Sequence, residues 1–350
     1  MMKKSGHRIA IKDTIARMSG DAIASTLAPE RLRLRILVVT AMYPCSERPG
    51  HGSFVEEQVR ALRELGHSVH VVHIRSYRGR SEYLRGARTV RRLARAGGFD
   101  VVHAHYGLTA LAALDHGGLP LFVTLHGSDV LGTRWQRLVS RFVCSRAATV
   151  IVVSEEIRRW IDGVVLPCGV DLERFRPLDR AAARRELSLD TEPRYVLFPF
   201  DPDRAVKRYD RAVSAVRHLA GAGVPAELLT VSGIPPDRMP LYYNASDVLL
   251  VCSDREGSPT VVKEALACNV PVVTTDVGDV RTLLGNVTGA RVCDPTPESL
   301  SAGMTSVLAL SRNRLQLRER AKGFDGRATA ERLTDLYRLA VAAAPEERRR

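Results

Sequence analysis

From residue 34 onward the chain alternates short, unbroken apolar runs with amphipathic stretches, and this rhythm constrains the fold more than any other feature. Arg35–Thr40 is a β-branched run, a Pro/Gly loop follows from Tyr43 to Gly52, and a helix pattern runs from Phe54 to Leu65, closed by Gly66. Val69–Ile74, Asp100–His105, Leu121–Leu125 and Thr149–Val153 read as further strands with helical stretches between them. Strands without polar alternation belong to parallel sheets covered on both faces. After Pro167 the chain turns through Gly169 and Pro177, as a linker would, and the rhythm restarts. Strands are expected at Arg194–Phe200, Glu227–Ser232, Val248–Cys252, Val270–Thr274 and Ala290–Cys293, and a last helix, Ala328–Ala343, precedes a charged tail. The pattern predicts an α/β chain of two doubly wound, Rossmann-like domains, 34–168 and 179–327, joined by a linker at 169–178 and followed by 328–350. Ligands of such sheets sit beyond the carboxyl ends of the strands, so two facing halves would place a site in the cleft between them.

Size and composition agree with two domains. The chain has 350 residues, 45% of them apolar, enough for two buried cores and too many for global disorder. A membrane-crossing helix needs about 20 consecutive apolar residues; no such run exists, and apolar stretches such as Ile36–Thr40 and Val248–Cys252 are strand-length. Cys45, Cys144, Cys168, Cys252, Cys268 and Cys293 are scattered with no C-x-x-C pair, which suits a reducing compartment and argues against a structural zinc site.

The net charge of +13 is uneven. Residues 1–170 hold 25 Lys/Arg against 14 Asp/Glu, and residues 171–350 hold 27 against 25. Eight arginines fall between Arg75 and Arg95 with one acid, Glu82. On a helix over Glu82–Ala96, Arg85, Arg88, Arg92 and Arg95 would share one face, while Leu84, Ala87, Val90, Leu93 and Ala94 would supply the buried side. Two readings stand: a solvated helix in an Arg-rich chain (46 of 52 basic residues are Arg), or a face for an anionic membrane surface or charged acceptor. Nucleic acid is disfavoured, because no aromatics are interleaved and no helix-turn-helix or zinc-finger spacing is present. Residues 1–33, with Lys3, Lys4, Arg8, Lys12 and Arg17, lack the apolar core of a secretory signal and read as a basic, disordered extension.

The strongest local signal is Ser253-Asp-Arg-Glu-Gly-Ser-Pro-Thr-Val-Val-Lys-Glu-Ala-Leu-Ala-Cys268, just after a strand. Ser258 is expected to cap a helix and Pro259 to occupy its first position. The amides of Thr260, Val261 and Val262 would then point out of the positive end of the dipole, an anion site suited to a diphosphate. A carboxylate such as Glu256 or Glu264 is tolerable there if it accepts hydrogen bonds from hydroxyls, as sugars and ribose provide. By themselves, two such glutamates also fit a solvated loop residue and a helix-face acid.

Glu256 and Glu264, with seven residues between them, resemble the E-x7-E signature of retaining glycosyltransferases of family 4. The whole stretch Glu256–Asp279 is similar to that family, and especially to its branch of teichuronic-acid-type polysaccharide glycosyltransferases. Further matches follow in order at Tyr43–Phe54, Asp100–His105, His126-Gly-Ser-Asp129, Val153-Ser-Glu155, Pro167–Asp171 and Leu241–Asp247, so the resemblance covers about residues 34–300. It implies the GT-B fold, with the first domain on the acceptor side and the second binding the donor.

The resemblance also implies roles. Glu256 would hold hydroxyls of the donor sugar and Glu264 the ribose. The backbone of Gly257, Ser258, Pro259, Thr260 and Val261 would meet the diphosphate or sugar edge. Lys207 matches the family's diphosphate-binding lysine and would neutralise the leaving nucleotide. One departure stands out: where the family has Gly-Arg, with the arginine five residues before the lysine, this chain has Pro202, and Arg204 is the candidate replacement. Gly52 and Ser53 would open a helix able to approach phosphate or acceptor. His126 matches a histidine near the reacting sugar, and Asp129 would orient it, bind acceptor or cap a helix. His103 and His105 are read as facing opposite sides of their strand, so that at most one reaches the cleft and joint metal ligation is disfavoured.

The expected reaction is same-face transfer of a sugar from a nucleotide-diphosphate sugar to an acceptor hydroxyl, with the departing phosphate taking the acceptor proton. Helix amides and Lys207 would do the work usually given to a divalent metal, so no metal or other cofactor is expected. Candidate acceptors are a saccharide or lipid-linked sugar of envelope polysaccharide or glycolipid synthesis, or a small secondary metabolite. The rival classes are a sugar-nucleotide epimerase or hydrolase on the same fold and a non-catalytic binding subunit. The expected location is the cytoplasm, with peripheral attachment at the inner face of the membrane as the alternative suggested by the basic first half.

Overall fold

The structure is a computed structural model and describes residues 33–344. The basic extension before them and the end of the charged tail lie outside the described residues. Eleven strands form two sheets among those residues. In the first half they are β1 (Arg35–Thr40), β2 (Ser68–His73), β3 (Val101–His105), β4 (Leu121–Leu125), β5 (Thr149–Val152) and β6 (Val164–Val165). The second half has β7 (Arg194–Phe198), β8 (Ala226–Thr230), β9 (Val248–Val251), β10 (Val272–Thr275) and β11 (Ala290–Cys293).

All pairings are parallel, and the spatial orders are β2-β1-β3-β4-β5-β6 and β11-β10-β9-β7-β8. Counted from its own first strand, the first sheet runs 2-1-3-4-5-6 and the second 2-1-3-4-5, so in each the direction of winding reverses between the first and third strands. The reversal leaves a crevice at the carboxyl ends of β1 and β3 in one sheet and of β7 and β9 in the other. Every residue of β3, β4 and β9 is buried, as expected for strands covered on both faces. The strand β6 pairs only through Ile151↔Val164 and Val152↔Val165, and its two residues are too few to give a periodic signal.

The chain groups into two compact units. The first holds the residues up to Tyr43, Gln58–Pro167 and those from Arg327 on; the second holds Pro44–Glu57 and Cys168–Gly326. Two details differ from the sequence division. The final helix, Gly326–Ala342, packs on the first sheet: Tyr337 Oη lies 2.5 Å from His103 Nδ1, and Thr334 Oγ1 lies 3.0 Å from His67 Nε2. The loop Pro44–Glu57 groups with the second unit, where the Glu57 carboxylate accepts the Asp171 amide. Sequence order does not say which sheet a terminal helix covers; the buried side chains do.

The arginine-rich helix spans Ser81–Ala96 and buries Gly86, Val90 and Ala94. Leu84, expected on the buried side, is exposed, because the contact with β2's end is made at Gly86, where a Cβ would come within 2.7 Å of Ile74 Cδ1. Asp247, in the second unit, is a structural hub. Its carboxylate accepts from Arg180, Arg184, Arg194 and the Tyr195 amide, tying the start of β9 to β7.

Candidate active site

At the β7/β9 crevice the structure brings two predicted residues together. After β7 the chain descends into a single 3-10 turn, Ala205–Lys207, and after β9 it enters the loop Ser253–Pro259. The Asp254 amide donates to the Val206 carbonyl at 2.9 Å, fastening one loop to the other. Lys207 Nζ then lies 2.5 Å from Glu256 Oε1, with both side chains largely buried. Ser253 Oγ donates to the same oxygen at 2.7 Å, while Oε2 makes no hydrogen bond among the described residues. The Phe200 ring centroid is 4.0 Å from the ammonium and shields it on one side. Burial pushes the Lys207 ammonium below its ordinary range; Glu256 opposes that shift, and Arg204 adds to it. Arg204 is itself exposed and close enough to act on Lys207 by like-charge repulsion.

The helix expected after the motif is Thr260–Ala267. Pro259, with extended ψ, holds the cap position, and no side chain caps the helix. The start therefore falls one residue later than expected. Ser258 is drawn away by Asp279, to which its Oγ donates at 2.8 Å. The Val262 amide, expected to point outward, donates to the Pro259 carbonyl at 3.2 Å, so the outward set reduces to Thr260 and Val261. Gly257 is buried under the loop that carries Gly278; a Cβ on Gly278 would stand 2.9 Å from the Gly257 carbonyl oxygen, and its φ of +58° suits glycine. Glu264 is buried and its Oε2 accepts from Tyr243 Oη at 2.6 Å; burial raises its carboxyl above the usual range.

Two buried groups here were missed by sequence reasoning. Lys263 has no exposed surface and donates to the Cys168 carbonyl at 2.7 Å. The signal was there: the chain uses arginine for nearly all its positive charge, and two of the three lysines between residues 33 and 344 are Lys207 and Lys263. A compact ammonium fits a tight pocket that a planar guanidinium does not. Glu57 is the other. Its pKa is raised to about 8, first by burial and then by the neighbouring Glu264 charge. Gly52 and Ser53 do open a helix, Ser53–Glu64, and Gly52 has φ +78° with its carbonyl accepting from Val55 and Glu56.

In the first unit, the crevice at β1/β3 and the neighbouring end of β4 is lined with imidazoles. His126 follows β4, and its Nε2 lies 2.9 Å from His105 Nδ1. The rings of His103 and His105 stack at 4.4 Å, and those of His105 and His126 at 5.2 Å. His103 and His105 therefore share a face, against the sequence reading; residues two apart on a strand point the same way, and Ala104 is the one that points opposite. His103 is bonded by Tyr337 and Thr124, so its nitrogens are occupied. Burial lowers His105 to about 3 and His103 well below its ordinary value, so both are neutral. His105 Nε2 is buried with no hydrogen-bond partner among the described residues. An orphaned N–H is costlier than an orphaned lone pair, so we assign the His105 proton to Nδ1, donated to His126. Asp129 acts on His126 through the backbone rather than through the imidazole ring. Its carboxylate accepts the amides of Gly107, His126 and Gly127, holding the turn that carries His126. Burial raises its pKa to about 6 against the opposing pull of those amides.

The fold and these crevices define a class: two tandem doubly wound units, one with a lysine–glutamate pair beside a helix N-terminus, the other with a histidine held by a second neutral imidazole. Comparison with known proteins gives the family. The profile of Glycosyltransferase Family 4 matches residues 48–174, and that of Glycosyl transferases group 1 matches residues 214–324. Lys207 and Arg204 fall between the two ranges. A glycosyltransferase from Bacillus subtilis (strain 168), TuaC, assigned to teichuronic acid biosynthesis, is 27% identical over 78% of this chain and 88% of its own length. The D-inositol 3-phosphate glycosyltransferase of Geodermatophilus obscurus is 30% identical over 72% of this chain and 68% of its own. Among solved structures, sucrose-phosphate synthase from Thermosynechococcus elongatus superposes with a TM-score of 0.72 at 20% identity, over 88% of this chain and all of that one. HepE from Anabaena, solved with UDP-glucose, gives 0.62 at 15% identity, over 86% and 98%. The chain is a glycosyltransferase with the GT-B fold and belongs to family 4.

Proposed function

We propose that the chain is a retaining glycosyltransferase that moves a sugar from a nucleotide-diphosphate sugar to an acceptor hydroxyl in cell-envelope polysaccharide or glycolipid synthesis. The observation that carries this reading is the Lys207–Glu256 contact at the β7/β9 crevice. The two groups neutralise each other at 2.5 Å, and each has a natural partner in such a donor: phosphate oxygens for the ammonium, sugar hydroxyls for the carboxylate. Binding exchanges one charge pair for two charge-assisted contacts. The Thr260 and Val261 amides at the helix N-terminus add fixed dipoles for the diphosphate. Lys207 then stabilises the charge that develops on the leaving phosphate, the main electrostatic demand of the reaction. This assigns no step to a metal ion or other cofactor. Glu264, already bonded to Tyr243, is assigned to the ribose, Arg204 to the outer phosphate, and His126 to the reacting sugar. UDP and UDP-glucose in the HepE structures support a nucleotide-sugar donor, and TuaC and the inositol-phosphate enzymes support polysaccharide or glycolipid synthesis.

The test is a panel of UDP- and GDP-sugars incubated with the full chain, with nucleotide release followed chromatographically and the product's anomeric configuration read by NMR. Acceptor-dependent nucleotide release with retained configuration is expected. Inverted configuration overturns the retaining assignment. Acceptor-independent release of free sugar, or an epimerised donor, assigns the chain to the hydrolase or epimerase class instead.

A further inference from the structure

Six large apolar side chains stand exposed among the described residues, and four of them share one place. Trp135 (58% exposed), Leu138 (64%) and Phe142 (45%) lie on the helix Arg134–Cys144, and Trp160 (42%) follows the short helix Glu155–Arg158. Steps of three and four residues put 135, 138 and 142 within an arc of ~60° on the helix surface. The opposite side is firmly seated: Ser140, Val143 and Cys144 are buried, and a Cβ on Gly107 would come within 2.1 Å of Ser140 Oγ. A Thr133–Gln136 capping box fixes the helix start. The apolar stripe is thus presented outward by a well-anchored helix.

Its rim is basic. Between residues 134 and 160 stand Arg134, Arg137, Arg141, Arg146, Arg158 and Arg159, against Glu155 and Glu156, and the first helix carries no acid. The Arg137 guanidinium, whose Nε donates to the Val130 carbonyl at 2.9 Å, sits 3.9 Å from the Trp160 ring centroid and seats Trp160 beside the same helix; Arg146 sits 3.8 Å from the Phe142 ring. Both tryptophans of the chain are in this patch. Tryptophan with arginine around an apolar stripe matches the headgroup zone of a bilayer, where amphipathic rings and cations meet phosphate while aliphatic side chains enter the acyl boundary. A second copy is a poorer fit, since a two-fold contact would press this basic rim against itself. The Ser81–Ala96 helix is also a poorer fit: Leu84 is its one large exposed apolar side chain, and Arg85, Arg91 and Arg95 are paired with Glu82 and Asp115.

We propose that the Arg134–Cys144 helix with Trp160 is an in-plane docking face for an anionic lipid bilayer. Trp135, Leu138, Phe142 and Trp160 enter the interface, and Arg134, Arg137, Arg141 and Arg146 contact headgroup phosphates. The test needs no donor or acceptor sugar, so its outcome is independent of the proposed transfer reaction. Because both tryptophans lie in the patch, their emission in the full chain reports on it directly. With phosphatidylglycerol/phosphatidylcholine vesicles the emission should shift to the blue and be quenched by brominated acyl chains; pure phosphatidylcholine should act far more weakly. A Leu138→Ser/Phe142→Ser double variant keeps both reporters and alters only exposed positions. Its vesicle partitioning should fall about tenfold or more, while Arg88→Ala/Arg92→Ala changes it less than about twofold. Absence of quenching by brominated lipid in the unmodified chain overturns the proposal, as does undiminished partitioning of the double variant with its circular dichroism unchanged. A dimer abolished by the double variant, with no vesicle binding, also overturns it in favour of a second copy.

Discussion

The two units wind their sheets in the same order, yet their crevices are chemically inverted. The first half of the sequence carries nearly all the excess positive charge, but its crevice is lined by His103 and His105, kept neutral by burial, with His126 beside them. The second half is close to neutral in bulk, yet it buries two ammonium groups, Lys207 and Lys263, and the carboxylates that face them. Bulk charge acts through water and is screened within about 10 Å. A single desolvated ammonium, placed by two loop ends, is not. Topology decides where a ligand can sit in each unit, and a few buried groups decide what it can be.

The largest test of this contrast is Lys207→Ala, expected to lower kcat for sugar transfer by ~10²–10³-fold, as loss of one preorganised charge-stabilising group typically does. Lys207→Arg should fail to restore it, since the pocket under Phe200 suits a compact ammonium. Full activity in either variant would place the anion site elsewhere. Next comes Asp129→Ala. If its work is to hold the Gly107, His126 and Gly127 amides, thermal unfolding should fall by several °C, since orphaned buried amides cost about 1–3 kcal/mol each. An unchanged melting temperature with a raised acceptor KM would reassign it to binding.

His105→Phe should lower kcat about tenfold through loss of the bond that fixes His126. The pH–rate profile between 5 and 8 should keep its shape, because His105 titrates near 3. A shifted profile would show that His105 exchanges protons during turnover. The smallest expected effect is Glu57→Gln. The folded pKa of about 8 lies above the ordinary 4.5, so the folded state binds the extra proton and stability falls as pH rises from about 4.5 to 8. Glu57→Gln should flatten that part of the melting-temperature profile and raise it above pH 8 by about 2 °C or more. A profile identical to that of the unmodified chain would show that Glu57 ionises freely.

Much of this was legible from local pattern. Every strand but the two-residue β6 was marked by its apolar run, with ends displaced by a residue or two: β7 stops at Phe198 rather than Phe200 because the chain already turns toward Lys207. Glu256, Glu264 and Lys207 were legible from motif and spacing. Ser258 was misread as a cap because its competitor for that hydroxyl, Asp279, lies 21 residues away. Glu57 gave no local sign of importance, and Tyr243 and His105 lay in matched segments that gave neither of them a role. Their roles depend on partners more than 20 residues distant, Asp171, Glu264 and His126, and on desolvation, which sequence neighbours do not report.

The sequence by itself determined the two parallel sheets and the E-x7-E loop, because apolar period and chain punctuation are properties of adjacent residues. Only the tertiary structure decided that the last helix covers the first sheet and that Lys207 meets Glu256. It alone also showed which helix turns its tryptophans outward. Those outcomes turn on which surfaces are removed from water, a quantity that exists only once distant segments have met.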